Sequence, residues 1–475
     1  MSDRIDTPAE GEVIIRMYRQ GLGDCFLLTF RGESDKPIHM LIDCGVWDSD
    51  AETMRRMAKV IASVATTTNS HLDLLVVTHE HWDHVSGFLQ GEADFRRMTI
   101  DHVWLAWTED PNDAVARKLK REYAATRAKL KVALARLQGV NPALAARLSD
   151  LLVLGAGVRA DPARAMSWVR GLAKRNARVR FCQPPEVLEL PGSSEVRVYV
   201  LGPPKDRAAL RKNLPSECQK AEGETYLRTA ARRADEAFFV AAEHGLKSRQ
   251  ELGPAERQSR DACLPFDAAH QIQPKQAQRV PFFRHYYGFG PKHPESWRRI
   301  DGDWMNVASE VALWMDSSTN NTSLALAIEL KSSGKVLLFV GDAQVGSWIS
   351  WNSLVFGVPD LGDNATMPGL LARTVLYKVG HHGSHNATLR ENGLERMTST
   401  ELAAMIPVNR ASVERRQWKM PFAPMYAGLQ KATKGRIIRA DEGVAAKPAS
   451  LSDAEWQAFV SRVTTTSEYI EYRIR

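Results

Sequence analysis

The order of apolar and polar positions predicts strands and helices in alternation along most of the chain. "GEVIIRMYRQGLGDCFLLTF" predicts two strands joined by a turn at Gly21–Gly23, and "PIHMLIDCG" predicts a third strand that ends at Asp43. Residues 50–64 have a helical pattern, and "LDLLVVT" and "IDHVWLAWT" then predict strands. Strand patterns return in "RVRFCQPPEVLEL", "EVRVYVLGPP", "LALAIEL", "KVLLFVGDA" and "RTVLYKVGHHGS". This alternation is typical of the α/β class.

Two segments interrupt the strand patterns. After residue 112 an apolar stripe at spacings of three and four predicts a helix, which ends near Gly139; its members are Val115, Leu119, Tyr123, Thr126, Leu130, Leu134 and Leu137. Shorter helices are predicted near 143–153 and 162–176, and helical pieces over 222–247 precede the aromatic-rich "QPKQAQRVPFFRHYYGFGPKHPESW". We therefore expect one core interrupted by two insertions.

The expected domain boundaries follow from these patterns. The core has its first half at 1–111, further strands at 178–205 and its second half at 311–475. A basic helical insertion occupies 112–177, and a second, irregular insertion occupies 206–310. Near the end, "SDAEWQAFVSRV" predicts a helix with a capping box formed by Ser452 and Glu455, and "SEYIEYRIR" predicts a last edge strand.

Composition narrows the class of protein. The chain has 475 residues, 44% hydrophobic and 25% charged, as in globular proteins. No run approaches the roughly 18 apolar residues of a membrane span, and "MSDRIDTPAEGE" lacks the apolar core of a signal peptide. The five cysteines are scattered and have no CxxC spacing. We expect a cytoplasmic protein without a membrane partner.

Positive charge is concentrated in the first insertion. Residues 113–180 contain sixteen Lys or Arg and four acids, a local charge of +12, whereas the whole chain carries +7. Such a module can bind a nucleic acid backbone, with Arg117, Lys118, Lys120 and Arg121 as candidates. The aromatic residues of the second insertion can stack on bases. The alternatives, a solvated helix surface and an insertion core, are about equally consistent with the pattern.

The segment "THEHWDH" carries the most specific chemical signal. In an extended segment His79, His81 and Asp83 point to the same side, and His84 begins the following helix. Imidazole and carboxylate groups are ligands for zinc and similar divalent ions. Four ligands this close together suit two adjacent ions better than one. The alternative is a loop of solvated histidines.

With this motif the chain resembles the metallo-β-lactamase superfamily. "GLGDCFLLTF", "LIDCG", "NNTSLALAIEL", "VLLFVGDAQ" and "KVGHHGSH", in this order, resemble the metallohydrolase domain of the DNA-uptake protein ComEC and its free-standing relatives. With "KMPFAPMYAGLQKATKGRIIRADEG" the resemblance reaches both ends of the chain and leaves out the two insertions. It implies a four-layer αββα sandwich with two mixed sheets between helices. The membrane helices of ComEC are absent, so transport is not implied.

The resemblance also implies a ligand set for two divalent ions, Zn²⁺ or Mn²⁺. His79 and His81 would bind the first ion and Asp83 and His84 the second, with Asp342 of "FVGDAQ" as the bridging carboxylate. Taken alone, an acid at that position can also be a helix N-cap.

"VGHHGSH" would supply the remaining ligand. We favour His382 as the ligand and His381 as a neighbouring or proton-transfer group, although the reverse assignment stays open. Asp43 and Asp24 would accept hydrogen bonds from ligand imidazoles, and simple turn or cap acids are an equally good interpretation.

One position departs from the family pattern. Many superfamily members carry a further histidine about twenty residues before the bridging acid, but residues 315–324 read "MDSSTNNTSL". Asn320, Asn321, Ser317 or a water would fill that place. A site with more oxygen ligands favours manganese more than a full histidine set does.

The expected reaction is hydrolysis. Two metal ions that share a carboxylate activate a water as hydroxide and neutralise the charge of a phosphoryl or carbonyl oxygen. With the basic insertion, this favours a phosphodiesterase or nuclease that acts on DNA or RNA. One alternative is a hydrolase of a small phosphodiester, phosphocholine ester or lactone. Another is a hydrolase effector subunit of a larger assembly, such as an antiphage system, whose insertions bind a protein partner.

Overall fold

The structure is a computed structural model that describes residues 7–125, 128, 161–175, 177–212, 224, 253–254, 272, 274–287, 319–416 and 418–475. The chain divides into two compact units. The first consists of Met1–Leu119, Ala156–Ala231 and Ser317–Arg475, and the second of Lys120–Gly155 and Arg232–Asp316.

The first unit contains two eight-stranded sheets. The strands of one sheet are β1 (Val13–Tyr18), β2 (Cys25–Arg31), β3 (Pro37–Cys44), β4 (His71–Val77), β5 (Thr99–Ala106), β6 (Arg178–Cys182), β15 (Val463–Thr465) and β16 (Tyr469–Ile474). Their order is β15-β16-β1-β2-β3-β4-β5-β6. Strands β3 to β6 are parallel to one another and the other pairs are antiparallel, so this sheet is mixed.

The second sheet has the same mixed character. Its strands are β7 (Val187–Leu190), β8 (Ser193–Gly202), β9 (Ala325–Leu330), β10 (Lys335–Phe339), β11 (Thr374–Lys378), β12 (Ala403–Ile406), β13 (Ile437–Arg439) and β14 (Gly443–Val444). They follow one another in the order β14-β13-β12-β11-β10-β9-β8-β7, and β10 to β13 are parallel. The strands β12 to β14 were not predicted, because two to four residues are too few to show a periodicity.

Helices lie along the chain between these strands. The labelled α-helices are α1 (Ala51–Thr67), α2 (Trp82–Gln90), α3 (Glu92–Phe95), α4 (Pro162–Gly171), α5 (Arg207–Arg211), α6 (Pro274–Ala277), α7 (Pro281–Tyr287), α8 (Val345–Trp351), α9 (Met367–Ala372), α10 (Arg410–Arg415), α11 (Ala423–Ala432) and α12 (Asp453–Val460). Residues 114–125 are also helical. Short 3-10 helices occupy Trp107–Glu109, Leu172–Arg175, Pro359–Ala365, Gly380–Gly383 and Leu394–Arg396.

The inward faces of the two sheets share one apolar core. Phe26 of β2 meets Phe339 of β10 edge to face, with ring centroids 5.5 Å apart, and inward residues of both sheets are almost fully buried around them. The other face of the β1–β6 sheet packs against α1, α2 and α4. On the second sheet the ring of Tyr377 in β11 meets the ring of Trp348 in α8 edge to face, with ring centroids 6.1 Å apart. The first unit is therefore an α+β sandwich built on two mixed sheets.

The end of the chain confirms one expectation and corrects another. Ser452 and Glu455 form the predicted capping box at the start of α12. β16 is not an edge strand, because it pairs with β1 on one side and with β15 on the other. Arg16 and Glu471 face each other across β1 and β16 and form a buried ion pair at 3.0 Å.

The region of the predicted basic insertion is only partly separate from the core. In helical residues 114–125, Ala116 and Leu119 are buried in a cluster with Trp107 and Leu210. Val115, expected on the buried stripe, is 43% exposed. Helix α4 lies within 112–177 yet packs in the core of the first unit. Some predictions lie outside the described residues. They are the stripe positions Thr126, Leu130, Leu134 and Leu137, the helix near 143–153 and, except for residue 224, the helical pieces over 222–247.

Helices α6 and α7 belong to the second unit. On α7 the rings of Phe282, Tyr286 and Tyr287 are between 40% and 57% exposed. Phe282 also contacts Phe283, with ring centroids 5.4 Å apart. Across the described part of the chain, every helix is too short or too polar to cross a membrane.

His39 of β3 predicts a dependence of stability on pH. Its Nδ1 lies 3.1 Å from Thr29 Oγ1, and burial, with the charges of His71 and Arg16, lowers the pKa of His39 to about 4. Because the unfolded chain then binds the proton more readily, the stability that neutral His39 contributes is complete above about pH 6.5 and is lost as the pH falls toward 4. We expect His39→Gln to remove about 3 kcal/mol of this dependence, measured by urea unfolding at pH 4 to 7. Equal pH slopes for the two proteins would contradict the assignment.

Candidate metal centre

The candidate site forms where the carboxyl ends of the parallel strands of both sheets meet. Thr78, directly after β4, accepts a hydrogen bond from Leu324 N at 2.9 Å, which joins the two sheets at this edge. Asp342 follows β10 and His382 follows β11. The three motifs that are distant in sequence therefore reach one place.

Helix α2 presents the first motif. His81 is its N-cap residue, and Asp83 and His84 lie in its first turn. Gly23 and Gly45 lie against the backbone of Asp83: a Cβ at Gly23 would be 2.6 Å from Asp83 O, and one at Gly45 would be 2.4 Å from it. The glycines of "GLGD" and "DCG" thus allow β2 and β3 to approach the start of the helix.

The structure brings six of the predicted ligands into two overlapping groups. One group consists of His79, His81 and Asp342, and the other of Asp83, His84, Asp342 and His382. In each group one ligand atom per residue lies within 4.8 Å of the others, and all members are buried. Asp342 is common to both groups. These buried groups can hold a metal ion.

Distances in the second group are short. His382 Nε2 lies 2.9 Å from Asp83 Oδ2, and His84 Nε2 lies 3.2 Å from Asp342 Oδ2. His382 Nε2 lies 3.8 Å from the same Asp342 oxygen. Oxygen and nitrogen donors that converge this closely suit a divalent cation.

Orphaned polar atoms give a test of that fit. Within the described residues, the buried side-chain atoms without a hydrogen-bond partner include four that belong to the two groups: His79 Nε2, Asp83 Oδ1, His84 Nε2 and Asp342 Oδ2. Leaving buried polar atoms unpaired is costly, and native structures normally satisfy them. Because these four unpaired atoms belong to ligand groups that converge on one place, the donor set fits a metal ion.

Asp43 lies within hydrogen-bond distance of the His84 imidazole, a contact of the kind expected for Asp43 and Asp24. Its Oδ2 lies 2.8 Å from His84 Nδ1, which fixes the ring so that Nε2 faces Asp342. The same carboxylate accepts hydrogen bonds from Thr78 N at 2.7 Å and from Thr78 Oγ1 at 2.6 Å. The residue has a positive φ of 56°, so the chain turns sharply where β3 ends.

Asp24 does not have the expected role. Its carboxylate oxygens are 3.8 Å from His84 Nδ1 and 3.6 Å from His382 Nδ1, and that His382 nitrogen lies 2.8 Å from Pro407 O instead. Asp24 forms an ion pair with Lys378. Lys378 is 1% exposed and was missed in the sequence, because a lysine near the end of a strand usually reaches solvent.

The histidine loop distinguishes His381 from His382. Both residues are in the left-handed region, with φ of 44° and 51°, which non-glycine residues rarely adopt. His382 lies in the second ligand group, whereas His381 lies outside both groups and contributes its backbone N–H to Asp342 Oδ1 at 3.0 Å. Burial lowers the pKa of His381 to about 4, and its Nδ1 is 3.4 Å from Gln344 Nε2.

Residues 319–324, where the family resemblance would lead one to expect a further histidine, contain polar residues instead. The Asn321 amide binds Lys212 O, Gln344 N and Ser347 Oγ, so it holds the loops together. Asn320 is buried but belongs to neither ligand group, and Ser317 lies outside the described residues. Ser323 approaches the ligands instead: its Oγ is 3.3 Å from His79 Nδ1 and accepts a hydrogen bond from Asp342 N.

The charges in the cluster perturb one another strongly. Burial opposes ionisation of Asp342, but His84, His382 and Lys378 hold the pKa of its carboxyl well below the usual range. Burial likewise opposes a charge on His84, and four surrounding carboxylates, Asp342 first among them, raise the pKa of that ring well above its usual value. The carboxylates thus favour positive charge at their centre.

The candidate nucleic-acid residues lie on helical residues 114–125. Arg117, Lys118 and Arg121 are exposed, and Lys120 is half-buried.

Comparison of the chain with protein-family models gives no match, and no curated protein matches it significantly. The family resemblance of the motifs therefore stays a prediction.

The Asp43–His84 contact gives a prediction. In Asp43→Asn an amide N–H can face the His84 N–H, so we expect a loss of about 1 to 3 kcal/mol in unfolding free energy. We also expect metal affinity to fall by roughly 10- to 100-fold, because the ring is no longer held in one orientation. Calorimetric titration with Zn²⁺ measures this, and Asp101→Asn, at a half-exposed partner of His71, is the control. Equal affinity in Asp43→Asn and the native protein would contradict the orienting role.

Proposed function

We propose that the protein is a metallo-β-lactamase-fold hydrolase that uses two divalent metal ions, and that its substrates are phosphodiesters. The observation that carries the proposal is the shared position of Asp342 in two groups of buried ligands. A carboxylate common to two ligand groups can serve two metal ions at once. The two mixed sheets and the motifs of the sequence support the same family.

The charge of the site supports two cations. The carboxylates of Asp24, Asp43, Asp83 and Asp342 and the ammonium of Lys378 have a net charge of −3 when the histidines are neutral. One divalent ion leaves this buried charge negative, whereas two make it +1. A centre with a small positive excess accommodates an anionic nucleophile or a phosphoryl oxygen.

We assign the ligands of each ion from the two groups. His79, His81 and Asp342 would hold one ion and Asp83, His84, Asp342 and His382 the other. Bound there, divalent ions supply an activated water and neutralise charge on the substrate.

We assign a proton-transfer role to His381. It lies beside the ligands but in neither group, and its Nδ1 is 3.4 Å from Gln344 Nε2. A neutral imidazole at the edge of the centre can accept a proton during the reaction.

Nucleic acid is the substrate class we favour. Arg117, Lys118 and Arg121 expose their charges on one helix, and the rings of α7 are exposed as base-stacking requires. Manganese is as acceptable as zinc, because residues 319–324 contain no histidine and Ser323 of that segment contacts His79.

Metal content tests the two-ion centre. We expect the native protein to bind two equivalents of Zn²⁺ or Mn²⁺, and Asp342→Ala to bind one or none, since both ions lose a ligand. Without the shared carboxylate the two cations also repel each other more strongly. Elemental analysis after dialysis measures this, and His381→Ala, outside both ligand groups, should keep two. Full metal content in Asp342→Ala would overturn the bridging assignment.

Substrate specificity is tested with a polymer and a small ester. Metal-loaded protein should cleave DNA and hydrolyse bis(p-nitrophenyl) phosphate. Asp83→Ala and His382→Ala should lose both activities, by roughly 10²-fold or more, because each lacks a predicted ligand. Reversing Arg117, Lys118, Lys120 and Arg121 to Glu should abolish DNA cleavage only, and leave metal content unchanged.

The other outcomes distinguish the alternatives. Hydrolysis of the small diester without cleavage of DNA or RNA would favour a small-molecule hydrolase. DNA cleavage that survives the charge reversal would return the basic helix to a solvated or protein-binding surface. A metal-loaded protein that is inactive on every substrate would favour an effector subunit that needs a partner.

A further inference from the structure

Lys378 is a buried lysine beside Asp342, the residue common to both ligand groups. It is the last residue of β11 and is 1% exposed. Its Nζ donates to Gly341 O at 2.9 Å, forms an ion pair with the Asp24 carboxylate and lies 3.5 Å from Asp342 Oδ1. A buried ammonium is costly unless oxygen atoms surround it. Here oxygens from two different loops do so.

These contacts determine which oxygen of Asp342 faces the ligand groups. Oδ1 accepts the His381 N–H at 3.0 Å and faces Lys378. Oδ2 points to the imidazoles, 3.2 Å from His84 Nε2 and 3.8 Å from His382 Nε2. The main chain is held as well, because Asp342 N donates to Ser323 Oγ at 3.0 Å. One oxygen is therefore bound by the protein and the other is left for a cation.

Lys378 also determines what Asp24 can do. Asp24, Asp43 and His84 are close enough to form a third potential metal group. His84 Nδ1 is already bound by Asp43, whose oxygens both accept hydrogen bonds from Thr78. Asp24 Oδ2 forms an ion pair with Lys378, which balances the charge of this carboxylate, whereas Asp24 Oδ1 has no hydrogen-bond partner among the described residues. This third group therefore acts as support for the other two.

We propose that Lys378 is a positioning residue of the metal centre, which holds Asp342 so that only Oδ2 is offered to the ions and which keeps Asp24 out of the ligand set. The inference rests on the proposed function. Charge alone has the opposite effect, because an ammonium repels divalent cations and its removal would strengthen metal binding. The sign of the change in affinity therefore separates positioning from charge.

The experiment compares Zn²⁺ affinity by calorimetry and the visible spectrum of the Co²⁺-substituted protein. In Lys378→Met we expect affinity to fall by roughly 10- to 100-fold, as for other residues that hold a ligand, and the spectrum to change. Lys335→Met is the matched control: this lysine of β10 pairs with Glu401 on the surface, and both readouts should stay as in the native protein. Unchanged or tighter zinc binding in Lys378→Met would overturn the inference.

A double variant guards against a general loss of folding. Lys378→Met leaves the Asp24 carboxylate buried without its cation, which destabilises the fold. Lys378→Met/Asp24→Asn removes both charges, so we expect thermal stability to recover while zinc affinity and the Co²⁺ spectrum do not. If the single variant does not fold, the double variant decides. Native affinity in the double variant would mean that Lys378 acts by charge balance only, which overturns the inference.

Two further results separate the claims. Asp24→Asn alone should leave the Co²⁺ spectrum unchanged, and a changed spectrum would make Asp24 a ligand and contradict its exclusion. A native protein that binds no divalent cation would overturn the proposed function and this inference with it. A native protein that binds two ions, with Lys378→Met doing the same at equal affinity, would overturn this inference alone.

Discussion

Four carboxylates crowd into a space that water scarcely reaches, and the surrounding structure holds them there. Asp24, Asp43, Asp83 and Asp342 are each at most 3% exposed, and within the described residues Lys378 is the one lysine or arginine that pairs with any of them. Such an arrangement is unfavourable unless donors and cations compensate it. Part of that compensation comes from the hydrogen bonds that Thr78 N and Oγ1 donate to Asp43. Another part comes from His84 and His382, because the carboxylates raise the pKa of both rings and so favour their protonated forms. Metal ions would provide the rest, so metal affinity and fold stability are expected to be coupled.

The position of the candidate site follows from the fold, because each sheet has a parallel set of strands and their carboxyl ends reach the same edge. Side chains placed just after such strands converge although hundreds of residues separate them, as His382 and Asp83 do across 299 positions. The left-handed conformation of His381 and His382 then turns one ring into the ligands and leaves the other at their edge. A conformation that costs energy in most sequences is retained where it aims a functional group.

Local pattern predicted the parts of the site that depend on neighbours in sequence. "HEHWDH" predicted the buried histidines and aspartate at the start of α2, and an acid or a histidine after an apolar strand predicted Asp342 and His382 as members of the groups that could hold a metal ion. Asp43 was expected to accept a hydrogen bond from a ligand imidazole, but the sequence did not indicate that His84 is its partner. Pairings between distant segments could not be predicted: no periodicity shows that Lys378 turns inward to Asp24, or that Asn321 bridges loops while Ser323 approaches His79. The strands β12 to β14 are too short for a pattern, and β16 resembled an edge strand because charged residues alternate along it, although Glu471 is buried by Arg16.

The pairing of β16 with β1 has a consequence for the order of folding. Arg16 and Glu471 are 455 positions apart, so at about 5 to 20 residues per second a ribosome adds the partner roughly 20 to 90 s after β1. All strands of the β7–β14 sheet are synthesised by residue 444, before either β15 or β16 exists. The sheet that begins first is thus completed last. Until then the N–H and C=O groups of β1 that pair with β16 lack their partner, and such an edge can pair with another chain.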